Sequence, residues 1–108
     1  MTLSSADIAT VKEICKLIET DLRGEYTVKK LSRKYQMNTE KLKSGFMFVI
    51  GQTVFKYVNA LRMNKALALV TTTNDKIETI AYQVGYTDVS GFRQAFIKHH
   101  GHTPTYYR

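Results

Sequence analysis

Residues 77–104 read IETIAYQVGYTDVSGFRQAFIKHHGHTP, and this stretch predicts how the rest of the chain is organised. Gly85 can adopt the positive φ of a sharp turn, and Asp88 is a good N-cap for a second helix. Two short helices around such a turn predict a helix-turn-helix, whose second helix is the one that enters a DNA major groove. The apolar residues that recur at helical spacing on the two buried faces are Ile77, Ile80, Ala81, Val84, Phe92, Ala95 and Phe96.

The outward face of this second helix carries side chains suited to reading base edges. Arg93 can pair bidentately with guanine, Gln94 can pair with adenine, and Val89 can pack on a thymine methyl. Ser90 completes the set. Any one of these residues fits an ordinary solvated surface equally well, but four of them on one face favour base contact.

About a dozen positions here resemble, in order and spacing, the C-terminal signature of AraC/XylS-type transcription regulators, and the resemblance extends from about residue 7 to residue 108. It implies an all-α domain of about seven helices, with two homeodomain-like helix-turn-helix subdomains joined by a long linker helix. It also implies sequence-specific double-stranded DNA binding that regulates bacterial transcription. The matching positions are Ile80, Ala81, Gly85, Tyr86, Asp88, Ser90, Phe92, Phe96, Gly101, Thr103, Pro104, Tyr107 and Arg108.

The expected first half covers residues 7–51. A capping box at residues 4–7 opens a first helix that ends near Gly24, and Thr27 caps a second helix. Asn38 caps the third helix, the first recognition helix, at about residues 39–50. Its inward residues are Leu42, Phe46, Val49 and Ile50, and its outward candidates for base contact are Glu40, Lys43, Ser44 and Met47.

The expected linker helix covers residues 53–70, with Phe55 among its apolar residues. Eighteen residues make a rod of about 27 Å. The recognition helices at about residues 39–50 and 89–100 would then read successive major grooves, which lie about 34 Å apart. Arg62 either braces the two halves or touches DNA. The second half covers residues 75–108 and opens with a capping box formed by Asp75 and Glu78.

Phosphate contacts are expected near helix N-termini and from nearby basic side chains. The candidates are Thr27, Lys29, Lys41, Thr53, Thr87 and Lys98.

The charge distribution supports an anionic partner. The formal net charge is +7, and residues 26–108 carry thirteen basic and four acidic side chains, whereas residues 1–25 carry three basic and five acidic ones. The alternative function is a helical domain that binds DNA non-specifically through charge, or one that binds proteins.

Other functional classes find little support in the sequence. Cys15 lies on an apolar helical stripe and is expected in the core. His99, His100 and His102 lack the convergent partners of a zinc site, so no metal and no cofactor is expected. Neither a catalytic constellation nor a membrane span or signal layout stands out, and we expect a non-enzymatic cytoplasmic protein without a membrane partner.

Several residues depart from the family pattern. Ser32 replaces a commoner alanine, Gln36 stands where glycine is frequent, and Gly91 stands where an aromatic is common. Met47 and Phe48 replace positions that are frequently lysine. We hypothesise that Phe48 contacts another domain or subunit, although a slightly larger local core would also explain it.

The resemblance has consequences for partners as well. Members of this family often carry a separate N-terminal sensing or dimerisation domain, so either this chain is a C-terminal part of a longer protein or it is a small standalone regulator. Operator DNA is the expected partner, together with RNA polymerase if the protein is an activator.

Overall fold

The computed structural model describes residues 2–108, which form six α-helices and a short 3-10 helix and contain no β-strand. The predicted all-α fold class of about seven helices is confirmed. The helices are α1 (Ser5–Thr20), α2 (Val28–Lys34), α3 (Thr39–Val49), α4 (Val54–Thr72), α5 (Ile77–Gln83), α6 (Val89–His100) and the 3-10 helix Pro104–Tyr107.

The described residues divide into two compact units. The first ends at Val58 and the second is Asn59–Arg108, so that α4 begins in one unit and ends in the other. The boundaries given above for two halves and a linker helix therefore stay predictions, and each unit is described by itself.

In the first unit, α1 packs against α3 and α2 packs against α3. The contact between α1 and α3 is close at Gly45, because a Cβ there would lie 2.7 Å from Val11 Cγ2. The fully buried side chains of this core include Val11, Ile14, Ile18, Leu42 and Phe46.

The first helix begins as predicted and ends earlier than predicted. The Ser4 N–H donates to Asp7 Oδ2 at 2.9 Å, and the Asp7 N–H donates to Ser4 Oγ at 3.0 Å, which confirms the capping box. The helix ends at Thr20 rather than near Gly24, since Asp21 adopts an extended conformation with φ −145°.

The second unit is held by a core of Met63, Ala66, Val70, Ile77, Ile80, Ala81, Val84, Phe92 and Phe96. Its last residue is tied back to the end of α4 and the loop that follows. The Arg108 guanidinium donates to the carbonyl oxygens of Val70 (3.3 Å), Thr73 (3.0 Å) and Asp75 (2.6 Å). These contacts anchor the loop that leads into α5.

One local prediction in this unit is wrong. Asp75 and Glu78 do not form a capping box, because the N-cap of α5 is Lys76, which makes no side-chain cap bond. The Asp75 N–H is instead bonded to Thr73 Oγ1 at 3.3 Å. In the final 3-10 helix, Pro104 is the first residue, and the hydroxyl of Thr103 at the N-cap position makes no cap hydrogen bond.

Candidate nucleic-acid interface

The helix pair α5–α6 turns at Gly85, whose φ of +106° lies in the left-handed region that favours glycine. The Tyr86 N–H donates to Ala81 O at 2.9 Å, which closes the turn. The Tyr86 ring then meets Phe92 edge-on, with ring centroids 5.6 Å apart. The turn predicted from residues 77–88 is present.

The start of α6 is capped by a carboxylate. Asp88 Oδ1 accepts from the Ser90 N–H at 3.1 Å, and Oδ2 accepts from the Gly91 N–H at 3.2 Å. Phe92 and Phe96 are fully buried. The opposite side of the helix is thereby set to face solvent, with Ser90, Arg93, Gln94 and Lys98 exposed and Val89 half-buried.

Arg93 has a partner on the preceding helix. Its Nη2 atom lies 3.6 Å from Glu78 Oε1 on α5, and both side chains are about half exposed. An exposed ion pair of this kind contributes little to stability and is screened by salt. The guanidinium therefore remains able to exchange the carboxylate for another acceptor.

The first helix pair, α2–α3, shares with α5–α6 a side-chain cap on its second helix and a positive φ in its turn. The Thr27 hydroxyl oxygen accepts from the Lys30 N–H at 3.1 Å, and Asn38 Oδ1 accepts from Glu40 N at 2.8 Å and Lys41 N at 3.3 Å. Both predicted N-caps are confirmed. The turn between the helices passes through Gln36, a non-glycine residue with φ +51°.

The face of α3 that points away from the core carries the four predicted residues. Leu42, Gly45 and Phe46 are buried, whereas Glu40, Lys43, Ser44 and Met47 are exposed. Lys43 Nζ lies 3.7 Å from Glu40 Oε1, one turn earlier. Val49 and Ile50 were expected to be buried but are only half-buried, because they end the helix beyond its packed segment.

The phosphate candidates of the first unit lie near the starts of α2, α3 and α4. Thr53 Oγ1 accepts from the Lys56 N–H at 3.2 Å, so Thr53 caps α4 as Thr27 caps α2. A hydroxyl that accepts from the backbone keeps its own hydrogen to donate to an anion. Lys29 is exposed.

Lys41 forms an ion pair with a carboxylate of α1. Its Nζ lies 3.7 Å from Asp7 Oδ2. The Ser4 N–H, and to a smaller extent Lys41, hold the pKa of Asp7 below its ordinary value of 3.8. Asp7 therefore competes with a phosphate for the ammonium of Lys41.

In the second unit, the two phosphate candidates lie at opposite ends of α6. Thr87 precedes the N-cap, whereas Lys98 is in the last turn. Both are exposed. Each of them therefore lies on or next to the helix that carries the base-reading candidates, but the two are at opposite ends of that helix.

One feature near α3 was missed by sequence reasoning. Phe55, counted among the apolar residues of the linker helix, is 76% exposed and lines a cavity of about 230 Å³ in the first unit. The other lining residues are Val28, Lys43, Met47, Thr53 and Val54. Helical spacing predicts this exposure. Val54 and Val58, four residues apart, are both buried, and the next residue, Phe55, projects about 100° around the helix from Val54, away from the core.

The histidines near the C-terminus pack against the chain. His100 Nε2 lies 2.8 Å from Met63 O, and the His102 ring stacks on Tyr106 with centroids 3.9 Å apart. Within residues 2–108 no group of three or more His, Cys, Asp or Glu side chains is placed to hold a metal ion. Cys15 is buried as expected, and burial raises the pKa of its thiol.

None of the helices in the described part of the chain combines the length and the apolar character that a bilayer crossing requires.

Comparison with known proteins is consistent across sequence and structure. Residues 31–108 match a family model described as a helix-turn-helix domain. The chain is similar to the C-terminal domain of the response regulator yesN of Fusobacterium nucleatum, with 33% identity, a TM-score of 0.79, and coverage of 97% of this chain and 99% of that one.

Two curated relatives are longer proteins. The chain is 29% identical over 106 residues to the uncharacterised HTH-type transcriptional regulator YisR of Bacillus subtilis, covering 98% of this chain. It is 25% identical over 103 residues to the HTH-type transcriptional activator RhaR of Mannheimia succiniciproducens, covering 95% of this chain. The chain spans 37% of the length of each relative.

Proposed function

Because the chain belongs to the AraC/XylS family of DNA-binding helix-turn-helix transcription regulators, which are not enzymes, we propose that it binds specific double-stranded DNA through α3 and α6. In this way it regulates bacterial transcription. Each of the two recognition helices reads one patch of base pairs in a major groove, and the two patches belong to successive grooves.

The observation that carries this proposal is the repeated construction of α3 and α6. Each helix follows a tight turn through a residue with positive φ, and each begins with a side-chain cap from Asn38 or Asp88. On the buried face, α3 carries Phe46 and α6 carries Phe92 and Phe96, and polar side chains lie on the exposed face of each helix. This is the arrangement in which a helix can lie in a groove while its other face stays packed.

On α6, Arg93 and Gln94 are the principal base readers. Arg93 donates to guanine O6 and N7 after exchanging Glu78 for the base, and Gln94 bonds the edge of an adenine. Ser90 donates to or accepts from a base edge, and Val89 packs on a thymine methyl.

On α3, the readers are shorter or more apolar. Lys43 donates to guanine, Glu40 accepts from cytosine N4, and Ser44 bonds either kind of edge. Met47 makes apolar contact. Lys43 Nζ and Glu40 Oε1 lie 3.7 Å apart, so a base contact made by one of them competes with this ion pair.

Phosphate contacts position the two helices and carry most of the salt dependence. Thr27, Lys29, Lys41 and Thr53 serve the first unit. Thr87 and Lys98 serve the second. The Cζ atom of Arg62 lies 6.0 Å from the centroid of the Tyr86 ring, which supports packing within the second unit over DNA contact for this side chain.

The longer relatives support a further domain for sensing or dimerisation in a longer form of the protein. RNA polymerase is the additional partner if the protein activates transcription. Phe48, 71% exposed near the end of α3, contacts that domain or another subunit. Binding to chromosomal DNA places the action of the protein in the bacterial cytoplasm.

Selection of bound duplexes from a random 25-base-pair pool at physiological salt tests the proposal. Two enriched patches about one helical turn apart are expected. Enrichment of a single patch would leave α6 as the reader and α3 as a docking surface. Retention of the pool without enrichment would favour the alternative, non-specific binding through charge. The net excess of basic residues after residue 25 supports that alternative.

A further inference from the structure

We propose that the cavity between α2, α3 and α4 in the first unit is a thymine-methyl site, with Phe55 as a specificity-determining residue. This inference rests on the proposed function and adds a base preference to the first unit. We call this cavity the apolar groove, and it is lined by Val28, Lys43, Met47, Thr53, Val54 and Phe55.

The groove is apolar and open to solvent. Four of its six lining residues are aliphatic, thioether or aromatic, and the two large ones are well exposed, Met47 at 53% and Phe55 at 76%. Its volume of about 230 Å³ leaves room for a methyl group and part of a base edge. Large exposed apolar side chains gathered in one place indicate a binding surface.

The position of the groove identifies DNA as its occupant. Lys43 and Met47 line it and are one turn apart on the outward face of α3, which is the face proposed to read bases. Thr53, a phosphate candidate, lines it as well. The Lys43 ammonium lies 3.7 Å from Glu40 Oε1 on the exposed face of α3. An apolar protein segment in the groove would cover this charged pair, whereas DNA offers the ammonium further acceptors on its phosphates and base edges.

The major groove presents one apolar group, the C5 methyl of thymine. With Lys43 on a phosphate or a base acceptor, that methyl can enter between the Met47 thioether and the Phe55 ring. The flexible Met47 side chain adapts to the position of the methyl, while the Phe55 ring forms a rigid wall. The structure thus assigns Phe55, which lies outside the recognition helix, to base readout.

The test removes the methyl group from the DNA rather than from the protein. The duplex enriched from the random pool is synthesised with deoxyuridine in place of thymidine in the patch read by α3. Dissociation constants are measured by fluorescence anisotropy. Loss of one buried methyl should weaken binding about fourfold, which corresponds to about 0.8 kcal/mol, when the change is in the α3 patch.

The matching protein variants are Phe55→Ala and Phe48→Ala. Both residues are highly exposed phenylalanines of the first unit, but only Phe55 lines the groove. Phe55→Ala should bind thymine DNA more weakly and no longer distinguish it from deoxyuridine DNA, whereas Phe48→Ala should keep the fourfold difference. Met47→Ala serves the same purpose as Phe55→Ala if the latter fails to fold, which circular dichroism will show.

The inference is overturned if deoxyuridine in the α3 patch leaves the affinity of the unmodified protein unchanged. It is also overturned if the α3 patch lacks thymine, or if Phe55→Ala weakens binding to both duplexes equally. In each of these cases specific binding persists and the proposed function stands. Absence of any enriched duplex would instead remove the proposed function and this inference with it.

Discussion

The guanidinium of Arg93 on α6 lies 3.6 Å from the carboxylate of Glu78 on α5. This pair joins the two helices of the second helix-turn-helix on their exposed side. Since both side chains are about half exposed, the ion pair orients Arg93 but is weak, and a guanine edge can replace the carboxylate. The proposed base reading by α6 depends on that exchange.

Replacing Arg93 with alanine should weaken binding to the selected duplex by about 1–3 kcal/mol and relax the preference at one base position. The reason is the loss of a bidentate contact with one base pair. Lys98→Ala is the control, because loss of a phosphate contact should weaken all sequences alike and reduce the salt slope by about one. Equal, sequence-blind losses in competition binding for both variants would contradict the role of Arg93.

The two glycines inside the recognition helices should respond oppositely to alanine. Gly45→Ala places a Cβ 2.7 Å from the buried Val11 side chain and should destabilise the protein by about 1–3 kcal/mol. At Gly91 the nearest atom, Asp88 Oδ2, would be 3.4 Å away, so Gly91→Ala should stabilise by up to about 1 kcal/mol. Urea unfolding measures both.

A double variant tests whether Val11 is the side chain that an added Cβ at residue 45 would meet. In a Val11→Ala background the added Cβ has room, and Gly45→Ala should then cost less than in the unmodified protein. Independent, additive effects of the two changes would show that Val11 is not the obstacle.

Gln36→Gly should raise the free energy of unfolding by about 0.5–1 kcal/mol. Gln36 holds φ at +51°, a conformation that disfavours side chains with a Cβ and that glycine adopts freely. Thermal and urea unfolding would measure the gain. Gln36→Ala keeps the Cβ and should show none, so an equal gain for both variants would argue against backbone strain at this turn.

Stability in acid should depend on Asp7. Its pKa in the folded protein lies below the ordinary value of 3.8, chiefly because the Ser4 N–H bonds the carboxylate and also because Lys41 is near. A lowered pKa contributes stability above pH 3.8 that is lost as the pH falls through the folded-state pKa. Asp7→Ala should therefore reduce stability at pH 7 and flatten its decline as the pH falls below about 3.8.

Urea unfolding across that pH range checks the role of Asp7. Glu13→Gln removes a charge from the same helix without touching the cap and should leave the decline in place. If Asp7→Ala and the unmodified protein lost stability in parallel, the carboxylate of Asp7 would have no part in the acid response.

Much of the architecture could be predicted because its signals are local. The caps at Ser4, Thr27, Asn38 and Asp88 each act within three residues, and Gly85 needs positive φ for a turn that its neighbours define. The alternation of buried and exposed faces on α3 and α6 follows from helical spacing alone. Even so, the expected cap at Asp75 failed, because Arg108 and Thr73 hold that segment in another conformation.

What only the tertiary structure decided involves pairs of residues that are distant in sequence. The spacing of the apolar residues determined which face of each helix is buried, but not that Gly45 would meet Val11, that Lys41 would be shared with Asp7, or that Arg93 would reach Glu78. Nor did it place Phe55 beside Met47 in one groove. A repeating pattern specifies the direction of a side chain about its own helix, whereas a contact between helices depends on how closely and at what angle they pack.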